Sequence, residues 1–300
     1  ILAEGRNLKC LRPALRPQTH IRTQTALSAS HVELAASILA PSSLGFWKRE
    51  YGVSYGYGGS VAAAAALAYR DANNPLGRVH AILHMVYGLR LCIFLFLREM
   101  TVPRFKEVKE KIEKQSPPTR LERLPFILQC AGLYYFMSLP LYITSQAPRI
   151  SAAGDALARC ALVTAALGLG LQISGDFQKS LVKRNNPDKL VTGGFYSIFR
   201  HPNYMGELIL WTMSSITSLI VASQLPRSWR LLLLSLGSIL GNAGIAFILA
   251  LAATGLEKRQ KEKYGNREEY QAWVKRTSAG LLLPRTKPAA QEYNRVQEGL

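Results

Sequence analysis

Long apolar runs alternate along the chain with short polar segments. Several of the runs reach the ~20 residues that a helix needs to cross a bilayer. The six strongest are Tyr55–Tyr69, Val79–Leu97, Leu124–Ser145, Ala156–Gly175, Tyr204–Ser223 and Leu231–Ala253. A weaker run, Ala35–Phe46, adds a seventh span if it inserts. The pattern predicts an all-α fold, a polytopic transmembrane helix bundle of six or seven spans.

The distribution of charge supports a membrane protein. A net charge of +18 over 300 residues would suggest a nucleic-acid partner in a soluble protein. Here the basic residues cluster between the apolar runs. With six spans, 23 Lys and Arg fall in segments 98–123, 176–203 and 254–300, whereas only five fall in the opposite loops. This bias is typical of membrane proteins, so we expect a membrane and no nucleic acid as partner.

The first residues differ in composition from the rest. Within 1–30, five basic residues stand against the single acid Glu4, and Ser and Thr are frequent. This composition is typical of an organelle transit peptide, and a disordered basic tail is the alternative. The sequence thus predicts a transit-like or disordered segment at 1–34, a transmembrane domain at 35–284 and a tail at 285–300. A chloroplast or mitochondrial membrane is the favoured location.

Candidate chemistry concentrates between Leu171 and Trp211, where two apolar runs flank a polar, basic loop. Polar residues recur on the entering helix at spacings of four, three and four, which places them on one face. They are Gln172, Asp176, Lys179 and Lys183. Acids and amides there suit sugar hydroxyls and an amide, and cations suit phosphates. The sequence predicts a nucleotide-cofactor site.

The leaving helix is predicted to begin at Pro202, because proline suits the first helical position. Asn203 and Glu207 then lie four residues apart on one face. A carboxylate inside an apolar helix is costly in lipid, so Glu207 should point into the protein and be paired there. Arg200 and His201 precede the helix N-terminus, where its dipole and free N–H groups favour a phosphate.

Another span carries polar groups on one helix. Tyr87 and Arg90 lie inside Val79–Leu97, where an arginine is costly unless it is paired. Snorkelling of Arg90, or pairing with Glu207, is one interpretation, and a role at a substrate is the other. His80 and His84 have metal-ligand spacing, but no carboxylate or cysteine is near them in the sequence. We therefore expect a structural role for this pair and no metal site.

Three stretches carry a resemblance to known families. The segment LVTGGFYSIFRHPNYMGELILW is similar to one shared by steroid 5α-reductases, sterol C14- and C24-type reductases and isoprenylcysteine carboxyl methyltransferases. The preceding GDFQKSLVK resembles the first of these families. The downstream EEYQAWVKRTSAGLLLP, which contains Arg276, resembles the ending of one branch of the steroid 5α-reductase superfamily. The resemblance covers roughly the C-terminal half of the chain.

The resemblance implies a membrane-embedded NADPH-dependent reductase of a conjugated C=C bond in a steroid- or isoprenoid-like lipid. The residues that it places at the cofactor are Gln172, Asp176, Lys183, Arg200, His201, Asn203, Tyr204, Glu207 and Arg276. Tyr87 and Arg90 resemble the Tyr-x-x-Arg pattern of the steroid 5α-reductases, in which the tyrosine donates a hydrogen bond to the substrate carbonyl. A glutamate assists that tyrosine in the family, within a Gln-Glu motif that has no counterpart here; Glu50 is nearest in order.

Two alternatives remain open at this point. The Arg-His-Pro-x-Tyr motif also occurs in S-adenosylmethionine-dependent methyltransferases of the isoprenylcysteine type. The helix from Asp176 to Lys183 favours the reductase. A catalytically silent membrane subunit that binds a lipid or a membrane protein partner is the second alternative. The endoplasmic reticulum, where the family is commonly found, is the alternative location.

Overall fold

The computed structural model describes residues 31–117 and 119–280. All regular elements in this part of the chain are helical, and the described residues form one isolated β-bridge, between Phe199 and Ser278. The segment predicted at 1–34 lies outside the described residues up to position 30, and a helix already covers 31–42. The predicted tail, 285–300, also lies outside them.

The helices follow one another with short connections. Helix α1 covers residues 31–42. The helices after it are α2 (Arg49–Val53), α3 (Tyr55–Arg70), α4 (Pro75–Thr101), α5 (Pro103–Lys114), α6 (Leu124–Gln146), α7 (Ala152–Asn185), α8 (Pro202–Ser223), α9 (Trp229–Tyr264) and α10 (Glu268–Arg276). Short 3-10 turns at Ser43–Phe46, Leu121–Arg123 and Gly194–Ser197 connect some of them.

Capping residues explain where the long helices begin. The side chain of Asn74 accepts a hydrogen bond from the backbone N–H of Gly77, and Pro75 occupies the first turn of α4. Ser151 and Ser228 cap α7 and α9 in the same manner. Helix α8 begins at Pro202, as the sequence predicts.

Within residues 31–117 and 119–280, five helical segments are long and apolar enough to cross a membrane: α4, α8, α9, Ala152–Arg184 of α7, and Leu121–Gln146, which includes α6. An all-α membrane bundle is therefore supported. The first predicted span forms α3, whose 16 residues rise only about 24 Å against a hydrocarbon core of ~30 Å. The weaker run Ala35–Phe46 is divided between α1 and a 3-10 turn. A count of six or seven spans stays a prediction.

The charged segment Lys258–Lys275 is divided between two helices: its first part continues α9 as far as Tyr264, and α10 begins separately at Glu268. Charged residues did not end α9 because they lie beyond the apolar part, where their side chains reach water. This continuation brings Glu257 to the end of the bundle that holds the candidate site.

Contacts between helix ends define two ends of the bundle. At one end, Lys183 of α7 donates to the hydroxyl of Tyr264 of α9, with N and O atoms 3.1 Å apart. At the other, Asn74 donates to the carbonyl oxygen of Thr144 on α6, and Ser151 donates to Gln224 next to α8. The first end carries the Lys- and Arg-rich segments, so we call it the basic end.

Glycines allow two close helix contacts. A Cβ at Gly206 of α8 would collide with the carbonyl oxygen of Gly168 on α7, and a Cβ at Gly88 of α4 would collide with that of Gly58 on α3. Only glycine permits this separation, because every other residue would push the backbones apart. The first contact brings Gln172 beside Glu207. The second contact brings the residues next to Gly58 on α3 close to the residues next to Gly88 on α4.

Candidate functional site

Glu207 lies at the centre of a buried group of polar side chains from α3, α4, α7 and α8. We call this group the inner cluster; its members are Tyr57, Tyr87, Gln172, Glu207 and Trp211. Glu207 is only 9% exposed. Its Oε1 accepts hydrogen bonds from the hydroxyls of Tyr87 (2.6 Å) and Tyr57 (2.8 Å), and its Oε2 accepts one from Nε2 of Gln172 (3.0 Å). The sequence expectation of a paired carboxylate inside the protein is confirmed.

The second acid of the predicted site forms an ion pair. Asp176 Oδ2 lies 2.8 Å from a guanidinium nitrogen of Arg90, and its Oδ1 accepts a hydrogen bond from Nδ2 of Asn203 at 3.1 Å. We call these three residues the ion-pair cluster. Arg90 therefore pairs with Asp176 and not with Glu207, because the α4–α7 contact places the acid of α7 within its reach. Both side chains of this ion pair are mostly buried.

Two buried atoms in these clusters have no hydrogen-bond partner within the described chain. They are Oε1 of Gln172 and Nη1 of Arg90. Gln172 is only 2% exposed. An unsatisfied buried polar group costs about 1–3 kcal/mol, and native proteins contain few of them. An amide oxygen and a guanidinium N–H left unpaired here are available to a ligand that brings a donor and an acceptor.

Arg200 and His201 are placed differently from the inner cluster. Nε of Arg200 donates to Oε1 of Glu257 (2.7 Å), and Nε2 of His201 lies 2.8 Å from the same oxygen. Arg200 also donates through Nη1 to the carbonyl oxygen of Thr277 (2.9 Å). We call Arg200, His201, Glu257 and Thr277 the clamp. Arg200 is 3% exposed and joins the start of α8 to the C-terminal segment, so its polar groups are used within the protein.

The loop between α7 and α8 is fixed to the same segment. The indole N–H of Trp273 donates to the carbonyl oxygen of Tyr196 at 2.6 Å, and the Tyr196 hydroxyl donates to the carbonyl oxygen of Gly175 at 3.2 Å. Burial, with Asp176 nearby, raises the pKa of Tyr196. Its hydroxyl therefore remains a donor at neutral pH.

The other predicted cofactor residues have mixed surroundings. Lys183 donates to the carbonyl oxygen of Pro187 (2.9 Å) and to the Tyr264 hydroxyl, so its ammonium faces α9. Tyr204 stacks on His201, with ring centroids 5.8 Å apart. Arg276 is exposed at the end of α10. The structure thus brings together six predicted residues (Tyr87, Arg90, Gln172, Asp176, Asn203 and Glu207) and leaves Lys183 and Arg276 at the periphery.

Three cations gather at the basic end beside the ion-pair cluster. Lys179 of α7 lies within electrostatic range of Lys183 on the same helix, of Arg98 on α4, of Arg259 on α9 and of Asp176. Tyr204 is within range of the same two arginines. We call Arg98, Lys179 and Arg259 the cation group. Like charges from three helices repel one another, so their convergence is favourable for an anion such as a phosphate.

Several residues of these clusters were not found from the sequence. Tyr57 lies in a helix rich in Gly and Ala, and a tyrosine among such small residues was the available signal. Glu257 follows the apolar part of α9, a position typical of a solvated side chain. Glu50 does not assist Tyr87: it lies 3.2 Å from Nζ of Lys109, and Glu207 accepts the hydrogen bond of Tyr87 instead.

The histidine pair of α4 makes contacts within the bundle. His80 lies 3.0 Å from the Thr144 hydroxyl and 2.7 Å from the Ser214 hydroxyl. Nδ1 of His84 donates to the carbonyl oxygen of His80 at 3.1 Å. Among the residues that the structure describes, no three His, Cys, Asp or Glu side chains are grouped as metal ligands. Nε2 of His84 is buried and has no hydrogen-bond partner among the described residues, so a structural role for this pair stays a prediction.

Apolar helices with carboxylates buried and paired between them indicate an integral membrane protein of the all-α class. The chain belongs to the family described as "Protein of unknown function (DUF1295)", whose match covers residues 51–277 and thus more than half of the chain. All predicted site residues fall within the matched part. A comparison with curated proteins and one with solved structures each gave no match.

Proposed function

We propose that this protein is a membrane-embedded, NADPH-dependent reductase of a conjugated carbon–carbon double bond in a steroid- or isoprenoid-like lipid. The main supporting observation is the convergence of Asp176 and Glu207 from adjacent helices, each with amide partners, next to a group of cations. A site that combines amides and carboxylates with cations matches the sugar hydroxyls, carboxamide and phosphates of a dinucleotide.

The residues present fit such a cofactor. Gln172 Oε1 and Arg90 Nη1 are buried atoms that a bound ligand would satisfy. Asn203 and Glu207 would complete the contacts to hydroxyl and amide groups. Phosphates would lie at the basic end against the cation group, where Lys183, Tyr204 and Arg276 stay predicted contacts. In this proposal Arg200 and His201 support the site by holding the start of α8 in place.

The chemistry follows from where charge develops. NADPH supplies a hydride when it is bound. As the β-carbon of the substrate accepts that hydride, negative charge grows on the conjugated carbonyl oxygen. The Tyr87 hydroxyl would donate a hydrogen bond to this oxygen and is the candidate proton donor. Arg90, one turn further along α4 and paired with Asp176, would hold the two helices in register.

Further parts of the proposal concern classification and location. The resemblance of the C-terminal half supports membership of the steroid 5α-reductase superfamily. We also propose that α3 is a sixth span that thins the bilayer locally, since it packs along α4 through the glycine contact. An organelle membrane and a lipid-like substrate complete the proposal. A membrane protein partner belongs to the alternative of a catalytically silent subunit.

Titration of purified protein with NADPH tests the cofactor directly. Asp176→Ala and Asn203→Ala should each weaken binding about tenfold or more, because each removes a polar contact worth about 1.5–3 kcal/mol when a charged group is involved. Asp155→Ala is the matched control, since Asp155 is an exposed acid at the opposite end of α7, paired with Arg159. It should bind NADPH as the unsubstituted protein does.

The same titration separates the alternatives. Unchanged NADPH affinity in both variants would remove the proposed site. Binding of S-adenosylmethionine without binding of NADPH would instead identify a methyltransferase. If the folded protein binds neither nucleotide, the catalytically silent subunit becomes the better description.

A further inference from the structure

We propose that Tyr57 is a second hydrogen-bond donor for the carbonyl oxygen of the lipid substrate, acting together with Tyr87. This inference rests on the proposed function and adds a residue that neither the sequence patterns nor the resemblance assigns. It begins from three oxygen atoms in mutual contact. The two tyrosine hydroxyls are 2.7 Å apart, and each lies within 2.8 Å of Oε1 of Glu207.

Counting protons shows what each hydroxyl offers. A phenol carries one proton, and an indole N–H only donates. Nε1 of Trp211 donates to the Tyr57 oxygen at 2.9 Å, so this oxygen is already an acceptor. The proton of Tyr57 therefore points away from Trp211, towards Glu207 Oε1 in this structure. Tyr87 has one proton and two acceptors within reach, Glu207 Oε1 at 2.6 Å and the Tyr57 oxygen at 2.7 Å. When that proton lies on the shorter contact, one carboxylate oxygen is the common acceptor of two phenols.

A carbonyl oxygen has the same acceptor capacity as this carboxylate oxygen. It has two lone pairs, and two donors directed at one point satisfy both. When negative charge grows on the oxygen, two such donors stabilise it more than one does. The structure thus shows a two-donor arrangement whose hydrogen bonds are accepted by Oε1 of Glu207.

The surrounding packing holds the two rings in this arrangement. The contact between Gly58 and Gly88 fixes the backbones next to both tyrosines. Tyr134 stacks on Tyr57 with ring centroids 5.2 Å apart, and Trp211 lies against both tyrosines. Tyr87 is fully buried, and Tyr57 is partly buried against the same core. The packing therefore holds both hydroxyls beside Glu207.

The test is isotope-edited infrared spectroscopy of the protein with progesterone labelled with ¹³C at C3, a conjugated ketone used as probe. Two hydrogen bonds should shift the bound carbonyl band to lower frequency than the band of the probe in lipid alone. Tyr57→Phe and Tyr87→Phe should each reverse part of this shift and raise the Kd of the probe about five- to tenfold. The double variant should reverse it fully.

Tyr134→Phe is the matched control, because Tyr134 touches the same ring but its hydroxyl donates to the carbonyl oxygen of Gly52, at 3.1 Å. It should leave the band unchanged. The proposal is overturned if Tyr57→Phe leaves the band in place, or if the probe shows no shifted band with the folded protein. Loss of the proposed function would be seen separately, as failure of the unsubstituted protein to bind NADPH.

Discussion

The inner cluster includes Glu207 and Trp211 of α8, and the clamp holds the start of that helix, yet the protein pairs the buried polar atoms of the two clusters to different degrees. In the clamp, Arg200 and His201 share Glu257, and the described residues leave none of its buried side-chain atoms without a partner. In the inner cluster, Oε1 of Gln172 remains unpaired. A cluster whose buried polar atoms all have partners within the protein stabilises the fold. A cluster with an unpaired buried atom carries a free-energy cost that a bound ligand removes.

The clamp should therefore affect stability much more than binding. Removing one partner of a buried ion pair costs about 3–5 kcal/mol, and Glu257 keeps its contact with His201, so Arg200→Met should lie at the lower end of this range. We expect a large fall in the thermal unfolding midpoint in detergent, with NADPH affinity unchanged in the protein that remains folded. Glu257→Gln should behave similarly.

Arg159→Met serves as the control for the clamp, since Arg159 forms an exposed pair with Asp155. Its unfolding midpoint should stay close to that of the unsubstituted protein. A normal midpoint with strongly weakened NADPH binding in Arg200→Met would reverse the comparison and make Arg200 a phosphate ligand.

The inner cluster should show the opposite behaviour. Gln172→Leu deletes the unpaired oxygen together with the amide that donates to Glu207. Loss of the unpaired buried oxygen should stabilise the protein, and loss of the hydrogen bond to Glu207 should destabilise it. The unfolding midpoint should therefore change little. Affinity for NADPH should fall by about tenfold or more, because a ligand contact worth roughly 1.5–3 kcal/mol is lost.

Gln178→Leu is the control on the same helix, because Gln178 binds the backbone of the α7–α8 loop through Gly193 and Phe195. NADPH titration and thermal unfolding of Gln172→Leu and Gln178→Leu test whether the loss of affinity is specific to Gln172. Equal NADPH affinity in the two would show that the orphaned amide oxygen is unrelated to cofactor binding.

Much of the local helical structure could be predicted from the sequence, whereas the pairing of side chains from different helices could not. The start of α8 at Pro202 and the shared face of Gln172 and Asp176 depend on short-range rules that a single helix obeys. The burial of Glu207 followed from the cost of a charge in lipid. The partner of Arg90 depends on how α4 and α7 are placed together, and a single-sequence pattern contains no such information.

Tyr57 and Glu257 are two further examples of contacts that could not be predicted from the sequence. Tyr57 reaches Glu207 because α3 approaches α4 at a pair of glycines, which is a property of two helices. Glu257 reaches Arg200 because α9 continues as far as Tyr264, past Ala253, where the predicted span ends. Helix length beyond the membrane and helix-to-helix distance are set by tertiary packing.

The α7–α8 contact on which the inner cluster depends can be disturbed without touching a polar group. Gly206→Ala would force α8 away from the backbone of α7 and should cost about 1–3 kcal/mol by overpacking. NADPH affinity should fall as well, since Gln172 and Glu207 would separate.

Gly170→Ala gives the matched comparison in α7, because a Cβ at Gly170 meets no atom within 4 Å. It should be neutral or stabilise the helix by roughly 0.5–1 kcal/mol. If both substitutions prove equally mild in thermal unfolding, the helices are not held together by this contact.

Two lysines one turn apart on α7 allow the finest comparison. Lys179 belongs to the cation group, whereas the Lys183 ammonium is bound to Pro187 and Tyr264. Lys179→Met should weaken NADPH binding a few-fold, because a partly exposed charge pair is worth about 0.2–1 kcal/mol. The loss should shrink as salt is raised, since added ions screen exposed charges over about 8–10 Å. Lys183→Met should have the smaller effect at every salt concentration. The reverse order in titrations across a salt series would place the phosphates beside Lys183, one of the residues that the resemblance assigns to the cofactor, and away from the cation group.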